Sequence, residues 1–285
     1  MKYSRKWTEK SITRRIKAGN GQGYKENYIP WLKVQDVPSS GVVKRVKGMK
    51  IQRVFHFMSL LEYQYFCLLE WSEKVNDIRE QFPLFHREDA QYIAEKKGIV
   101  YPLYPNSDVP IVMTSDFAIQ FMSVDGSLKE VIRTIKPSSE LNKRRVLEKL
   151  EIEREYWYLR EIDWGIVTER DICPTKIYNI SFFRGAHNFN EHNLVDELLP
   201  DFFEALFNYQ NENLITILDH LDSCLKIEKG TFLSLFKFLL SRREIEIDMT
   251  RKIDLKVIRC KDITVLKGAN SLDDIYQDGV RSTGS

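Results

Sequence analysis

Apolar and polar positions change period several times along this chain, and each change predicts an element. VVKRVKGMKIQRVFHF alternates apolar and basic residues about Gly48, which predicts a β-hairpin with one charged face. Leu61, Tyr65, Leu68 and Leu69 then recur at helical spacing and predict a helix over 59–74. After a loop over 77–110, strands are expected at 111–121 and 130–136, joined through Val124-Asp125-Gly126-Ser127. Pro137-Ser138-Ser139-Glu140 opens a long charged helix, since serine followed by acids suits a helix N-terminus, and DWGIVTE reads as a short buried strand. Helix, hairpin, helix, strand is an α/β order whose last crossover gives a parallel neighbour.

The flanks read differently. Residues 8–18 predict a short basic helix, followed by GNGQG and an extended YIPWLKVQDVP. Gly19, Gly21 and Gly23 do not form a phosphate loop, because no strand precedes them and the spacing is not GxxxxGK; they read as a flexible connection. Residues 173–192 are irregular and read as a linker. Helices follow at 193–210, 214–225 and 230–243, then two alternating strands, REIEIDM and KIDLKVIR, joined by Thr250-Arg251. Three helices and a β-ribbon predict a mainly α, winged-helix-like module. Its third helix, GTFLSLFKFLLSRRE, is too apolar for a base reader. Phosphate contact through Arg242, Arg243, Arg251 and Lys252, or protein docking, fits it better. The expected division is a basic arm and hairpin (1–58) packed on a catalytic domain (59–172), a linker (173–192), a winged-helix-like domain (193–270) and a tail (271–285), whose last residues, RSTGS, look appended.

Composition narrows the class. Of 285 residues, 43% are apolar and 29% charged, as in ordinary soluble proteins, and no apolar run approaches the roughly 20 residues that a bilayer span needs. The N-terminus has no apolar signal region, so a cytoplasmic protein is expected. Cys67, Cys173, Cys224 and Cys260 are scattered without a CxxC pair and read as buried thiols rather than a disulfide framework or zinc site. The net charge of +2 hides an asymmetry. Residues 1–60 hold 14 Lys/Arg against 3 Asp/Glu, residues 191–225 hold eight acids and no Lys/Arg, and residues 226–267 hold 11 basic residues against 6 acids. Two basic zones suggest two polyanion contacts, with solvated faces as the plainer reading.

The candidate chemistry lies in three of the predicted elements. Glu62 falls on a largely apolar helix side, four residues before Phe66 and seven before Leu69, so its carboxylate needs a partner or an ion. Asp116 sits inside the apolar strand IVMTSDFAIQF, and Lys136 ends EVIRTIKP. If Asp125-Gly126-Ser127 is the turn, Asp116 lies directly opposite Lys136, with Val112, Thr114, Asp116 and Ala118 on one face and Thr134 and Lys136 on one face. Two carboxylates sharing a divalent ion beside a cation are what phosphodiester hydrolysis requires: water must be activated and phosphate charge neutralised. A boundary glutamate and a cross-strand ion pair are the structural alternatives.

These segments resemble TnsA, the endonuclease subunit of heteromeric bacterial cut-and-paste transposases. The resemblance runs over roughly residues 10–170, through GNGQG with YIPWL, QDVPSSG, RVFH, LLEYQYFCLLEW, DIREQFPL, VMTSDF, IKPSSEL and LEKLEIEREYW. It implies an N-terminal α/β domain of restriction-endonuclease-like fold with a mixed central sheet. In it Glu62, Asp116 and Lys136 match the family's helix acid, strand acid and lysine. Where the family has Gln two positions before that lysine, this chain has Thr134, whose hydroxyl could hold a water or a phosphate oxygen. The carbonyl of Ile135 is then a third ligand beside Glu62 and Asp116. The implied cofactor is Mg²⁺, one or two ions, with Mn²⁺ able to substitute. The implied partners are transposon-end double-stranded DNA, a DDE-type (TnsB-like) transposase and an ATPase (TnsC-like) regulator. The basic arm then supplies phosphate contacts through Arg14, Arg15, Lys17, Lys44, Arg45, Lys47 and Arg53. The acidic helices of 191–225 suit a protein partner. A stand-alone restriction or resolvase-like nuclease and a non-catalytic DNA-binding assembly subunit are the competing functions.

Overall fold

A computed structural model describes residues 7–36, 43–188 and 192–266; the expected tail at 271–285 lies outside them. The chain divides into two compact units after Ile172. Unit one begins with α1 (Glu9–Lys17), capped by Thr8, whose hydroxyl accepts the Ser11 N–H while the Ser11 side chain reciprocates. Strands β1 (Lys44–Lys47) and β2 (Val54–Phe57) form the expected antiparallel hairpin about Gly48. Helix α2 (Leu60–Trp71) starts where the Ser59 hydroxyl accepts the Glu62 N–H, and its apolar side packs Phe66 onto Phe55 and Phe57.

The segment expected as a loop, 77–110, instead holds β3 (Val75–Pro83) and α3 (Arg87–Lys96). Charge hid the strand. Asp77, Arg79 and Glu80 are buried in it and answered by other charges: Arg53 grips Glu80 through two hydrogen bonds of 2.9 and 2.6 Å, and Arg79 pairs with Asp77 and Glu130. Strands β4 (Thr114–Met122) and β5 (Leu128–Ile135), helix α4 (Arg144–Tyr158) and β6 (Asp163–Val167) complete the unit. The sheet order is β3-β4-β5-β6, antiparallel up to β5, with β6 parallel to β5 as the crossover through α4 implied. One face of this mixed sheet carries a core of Leu84, Ala118, Ile132, Ile152, Tyr156 and Trp157, under α3 and α4. Apolar α1 residue Ile12 anchors the arm on Trp31, Tyr104 and Val112.

Unit two opens with α5 (Pro174–Arg184), so the segment expected as an irregular linker is helical for most of its described length. Pro174 sits in its first turn, where a missing N–H costs nothing. Helices α6 (His192–Asn208), α7 (Leu214–Cys224) and α8 (Thr231–Arg242) follow at the expected places. The apolar α8 is a core helix: Phe232, Leu235, Phe236, Leu239 and Leu240 are buried, packed against α5 and α7. Buried Asp222 on α7 accepts the Gly230 and Phe232 N–H groups at the start of α8. The expected ribbon of 243–249 with 252–259 does not form. Two-residue β7 (Ile245–Glu246) pairs with β8 (Thr264–Val265), while the Asn179 side chain takes the Ile253 N–H and the Arg251 carbonyl. Asp248 and Asp254 turn the chain by accepting the N–H two residues on, an arrangement that competes with a strand ladder. Of the four cysteines, Cys67 and Cys260 are buried, but Cys173 and Cys224 are exposed, contrary to expectation. No helix among the described residues is long and apolar enough to cross a membrane.

Candidate active site

The β4–β5 turn sets the register. Ser123 N–H bonds the Ser127 carbonyl at 2.8 Å, Gly126 takes a positive φ of 81°, and the paired residues run from Met122↔Leu128 to Phe117↔Arg133. Continued one step, that register sets Asp116 against Thr134, not against Lys136. The turn is Val124-Asp125-Gly126, one residue earlier than anticipated.

The ladder, however, ends at Phe117. The Ile135 N–H donates to the Asp116 side chain, Oδ2, at 2.7 Å. Lys136 reaches back so that Nζ donates to Asp116 Oδ2 at 3.0 Å and to the Ile135 carbonyl at 2.9 Å. The two residues meet through a long flexible side chain rather than through cross-strand register.

The expected face-sharing also fails, for a backbone reason. Gln81 on β3 has a φ of 50°, in the left-handed region, which costs a residue other than glycine or asparagine about 1–3 kcal/mol. Around it the alternation slips. Glu80 faces Arg53 while Phe82, two residues on, lies against Trp157 of α4. Opposite, on β4, Ser115 bonds Glu153 of α4 and Ala118 joins the same core, though they are three apart. Between them Asp116 and Phe117 turn the other way, Phe117 onto Phe57 and Tyr65 of α2. Asp116 thus shares no face with Ala118.

Glu62 arrives from α2. It is 5% exposed and has no ion pair among the described residues, which removes the boundary-glutamate reading. The Met58 N–H donates to its Oε2 at 2.9 Å and the Gln81 amide at 3.4 Å. Burial first, then the neighbouring Asp116 carboxylate, pushes the Glu62 pKa up to about 7, against the Met58 N–H, Ser59 and Lys136. For Lys136, burial opposes the charge, but Asp116, Glu153 and Glu62 outweigh it and raise the pKa, so the ammonium persists at neutral pH.

Thr134 is buried and points elsewhere. Its hydroxyl donates to Glu153, a carboxylate also bonded by Ser115 Oγ at 2.6 Å and Trp164 Nε1 at 3.0 Å. Glu153 is fully enclosed and its pKa is raised by that burial, against three hydrogen bonds. It braces Ser115 and Thr134, neighbours of Asp116 and Ile135, from the far side of the sheet. Glu153 was legible in principle: it lies on the α4 stripe between Leu150 and Trp157, the pattern that singled out Glu62. Gln81 gives no such signal, because its role follows from a backbone kink.

Among the described residues no three His, Cys, Asp or Glu side chains form a metal cluster. A divalent cation still fits what is present. The donor set is all oxygen, two carboxylates and the Ile135 carbonyl, and the Glu62 pKa is raised by burial first and by the Asp116 charge second. A few carboxylates with room for water suit Mg²⁺.

Of the basic residues assigned to DNA, Arg14, Lys17, Arg45 and Lys47 are exposed and Lys44 half-buried. Arg15 is committed to the Trp31 carbonyl and, at 2.8 Å, to Asp36. Arg53 is buried on Glu80, with its guanidinium 3.7 Å over the Phe55 ring, and offers no surface to phosphate.

Residues 72–169 match the family of TnsA-like endonuclease N-terminal domains, and residues 171–249 match the TnsA endonuclease C-terminal domain. The chain is 35% identical to the transposon Tn7 transposition protein TnsA of Escherichia coli over 272 residues, covering 94% of this chain and 96% of that one. With both domains in order and nearly full length aligned, the chain belongs to the TnsA family of DNA endonucleases.

Proposed function

We propose that this endonuclease cuts the 5′ ends of a mobile element, using Glu62, Asp116, Lys136 and Mg²⁺, while a DDE-type transposase cuts and joins the 3′ ends under an ATPase regulator. The observation that carries the reading is the convergence of three elements. Asp116 of β4 holds Lys136, just past the end of β5, at 3.0 Å, and Glu62 from α2, its pKa raised mainly by burial, feels the Asp116 charge as the next cause. Unit one then has a restriction-endonuclease-like fold. Unit two is the counterpart of a winged-helix module with a shortened ribbon.

When bound, Mg²⁺ would supply Lewis-acid activation of water and neutralise charge on the scissile phosphate. Glu62, Asp116 and the Ile135 carbonyl would hold it. Lys136, kept charged by three carboxylates, steadies the negative charge that develops on the phosphate oxygens. Its ammonium must leave the Ile135 carbonyl to do so, and a flexible stem permits that movement. Thr134 has no direct part in this scheme, because its hydroxyl is spent on Glu153.

Arg14, Lys17, Lys44, Arg45 and Lys47 are the phosphate contacts this reading retains from the basic arm. The test is cleavage of transposon-end DNA in Mg²⁺ by the purified chain with and without its transposase. The expected result is 5′-end cutting only with the partner, lost by roughly 10²-fold or more in Asp116→Ala. Cutting by the chain alone at arbitrary sequence would favour a stand-alone nuclease, and survival of 5′-end cutting in Asp116→Ala would remove the assigned site.

A further inference from the structure

We propose that Gln81 is a positioning residue that holds the Glu62 carboxylate in its ion-binding orientation. The inference rests on Glu62 being a ligand of the divalent ion. Gln81 is 3% exposed, lies near the C-terminal end of β3 and occupies a left-handed backbone conformation that favours glycine or asparagine. Its side chain spans two groups at the site: Nε2 is 3.4 Å from Glu62 Oε2, and Oε1 accepts from Thr114 Oγ1 at 3.4 Å. Its carbonyl accepts the Trp31 N–H at 3.3 Å, so the kink is fixed from the arm as well as from the sheet.

The chemistry of an amide suits this place. A carboxylate that must bind a cation beside another carboxylate needs a donor to orient it. A lysine or arginine there would supply the positive charge that the ion should supply. An amide orients without adding charge, and by turning over it can accept from Glu62 when that acid is protonated. With the Met58 N–H it fixes Oε2 twice, as outer hydrogen bonds fix the ligands of metal sites generally. The β3–β4 register places the kink across from Asp116, whose charge reaches Glu62 on α2, while Ala118 lies in the core.

Mn²⁺ binding to the full-length chain, measured by calorimetry without DNA, tests this. Gln81→Leu removes the donor at similar size. Gln81→Asn keeps a residue tolerant of the left-handed backbone but shortens the reach by one methylene. The expected result is a Mn²⁺ Kd raised about tenfold or more in both variants, the usual cost of losing an outer hydrogen bond to a metal ligand. The Mg²⁺ concentration for half-maximal cleavage in the full complex should rise with it, with most of the maximal rate restored at saturating Mg²⁺. Unchanged Mn²⁺ affinity in folded Gln81→Leu and Gln81→Asn overturns the proposal, as does unfolding of both, which would make the role purely structural. Asp116→Ala separates the two readings. If it loses Mn²⁺ while the Gln81 variants keep it, only the positioning role falls. If it binds like the parent, the ion site and the positioning role fall together.

Discussion

Glu62 leaves folding with a carboxylate that favours its proton, and this has a measurable sign. Its folded pKa of about 7 lies above the ordinary value of 4.5, so its contribution to stability is complete below about pH 4.5 and is lost as pH rises through 7. Without divalent ions, Glu62→Gln should therefore melt close to the parent at pH 5 but be more stable at pH 8, by roughly 3 kcal/mol for a shift of this size. Adding Mg²⁺ at pH 8 should raise the parent's Tm and leave the variant's unchanged. An equal effect of the substitution at both pH values would show that Glu62 does not titrate as described. Glu153 gives a second prediction. Glu153→Ala leaves the Ser115, Thr134 and Trp164 donors without their buried acceptor, at about 1–3 kcal/mol for each unsatisfied group. Glu153→Gln keeps an acceptor oxygen, and its urea midpoint should fall far less.

At the scale of elements, legibility followed burial chemistry. Helices with an apolar stripe, α2, α4, α7 and α8, stood out in the sequence, as did the β1–β2 hairpin with its charged face. Strand β3 did not, because at its centre charged partners do the work that apolar alternation does elsewhere, and Arg53 comes from 27 residues away. The ribbon of unit two misled for the opposite reason. Its alternation is genuine, but Asn179 and two aspartates claim the backbone groups that a ladder would use. At the site, the three residues proposed as catalytic came from the sequence, whereas their geometry could not: a left-handed glutamine and a lysine that bends back are invisible to period-two reasoning. The GNGQG connection also has a structural cause. A Cβ on Gly21, already at a φ of 79°, would lie 2.4 Å from the Pro83 ring. Gly21→Ala should lower stability by about 2 kcal/mol in a urea titration.

For the whole molecule, charge separates surface from scaffold. If the exposed arm residues meet phosphate, Arg14→Ala and Lys17→Ala should each reduce the slope of log K against log salt by about 0.9 without moving Tm. Arg53→Ala should do the reverse, destabilising the fold by about 3–5 kcal/mol because Glu80 is left buried and unpaired. A salt slope changed by Arg53→Ala at constant Tm would contradict that division. The Arg53–Glu80 clasp gathers distant stretches of chain. Arg53 also bonds the Lys25 and Ile78 carbonyls, and Tyr28 Oη donates to the Glu80 carbonyl. Every side chain of the proposed catalytic centre lies at or beyond position 62, yet a trimmed enzyme starting at α2 would inherit the Glu80 charge deep in its sheet without Arg53 to answer it. Arg53 and the chain about Lys25 and Tyr28 are therefore the counterweight to that charge.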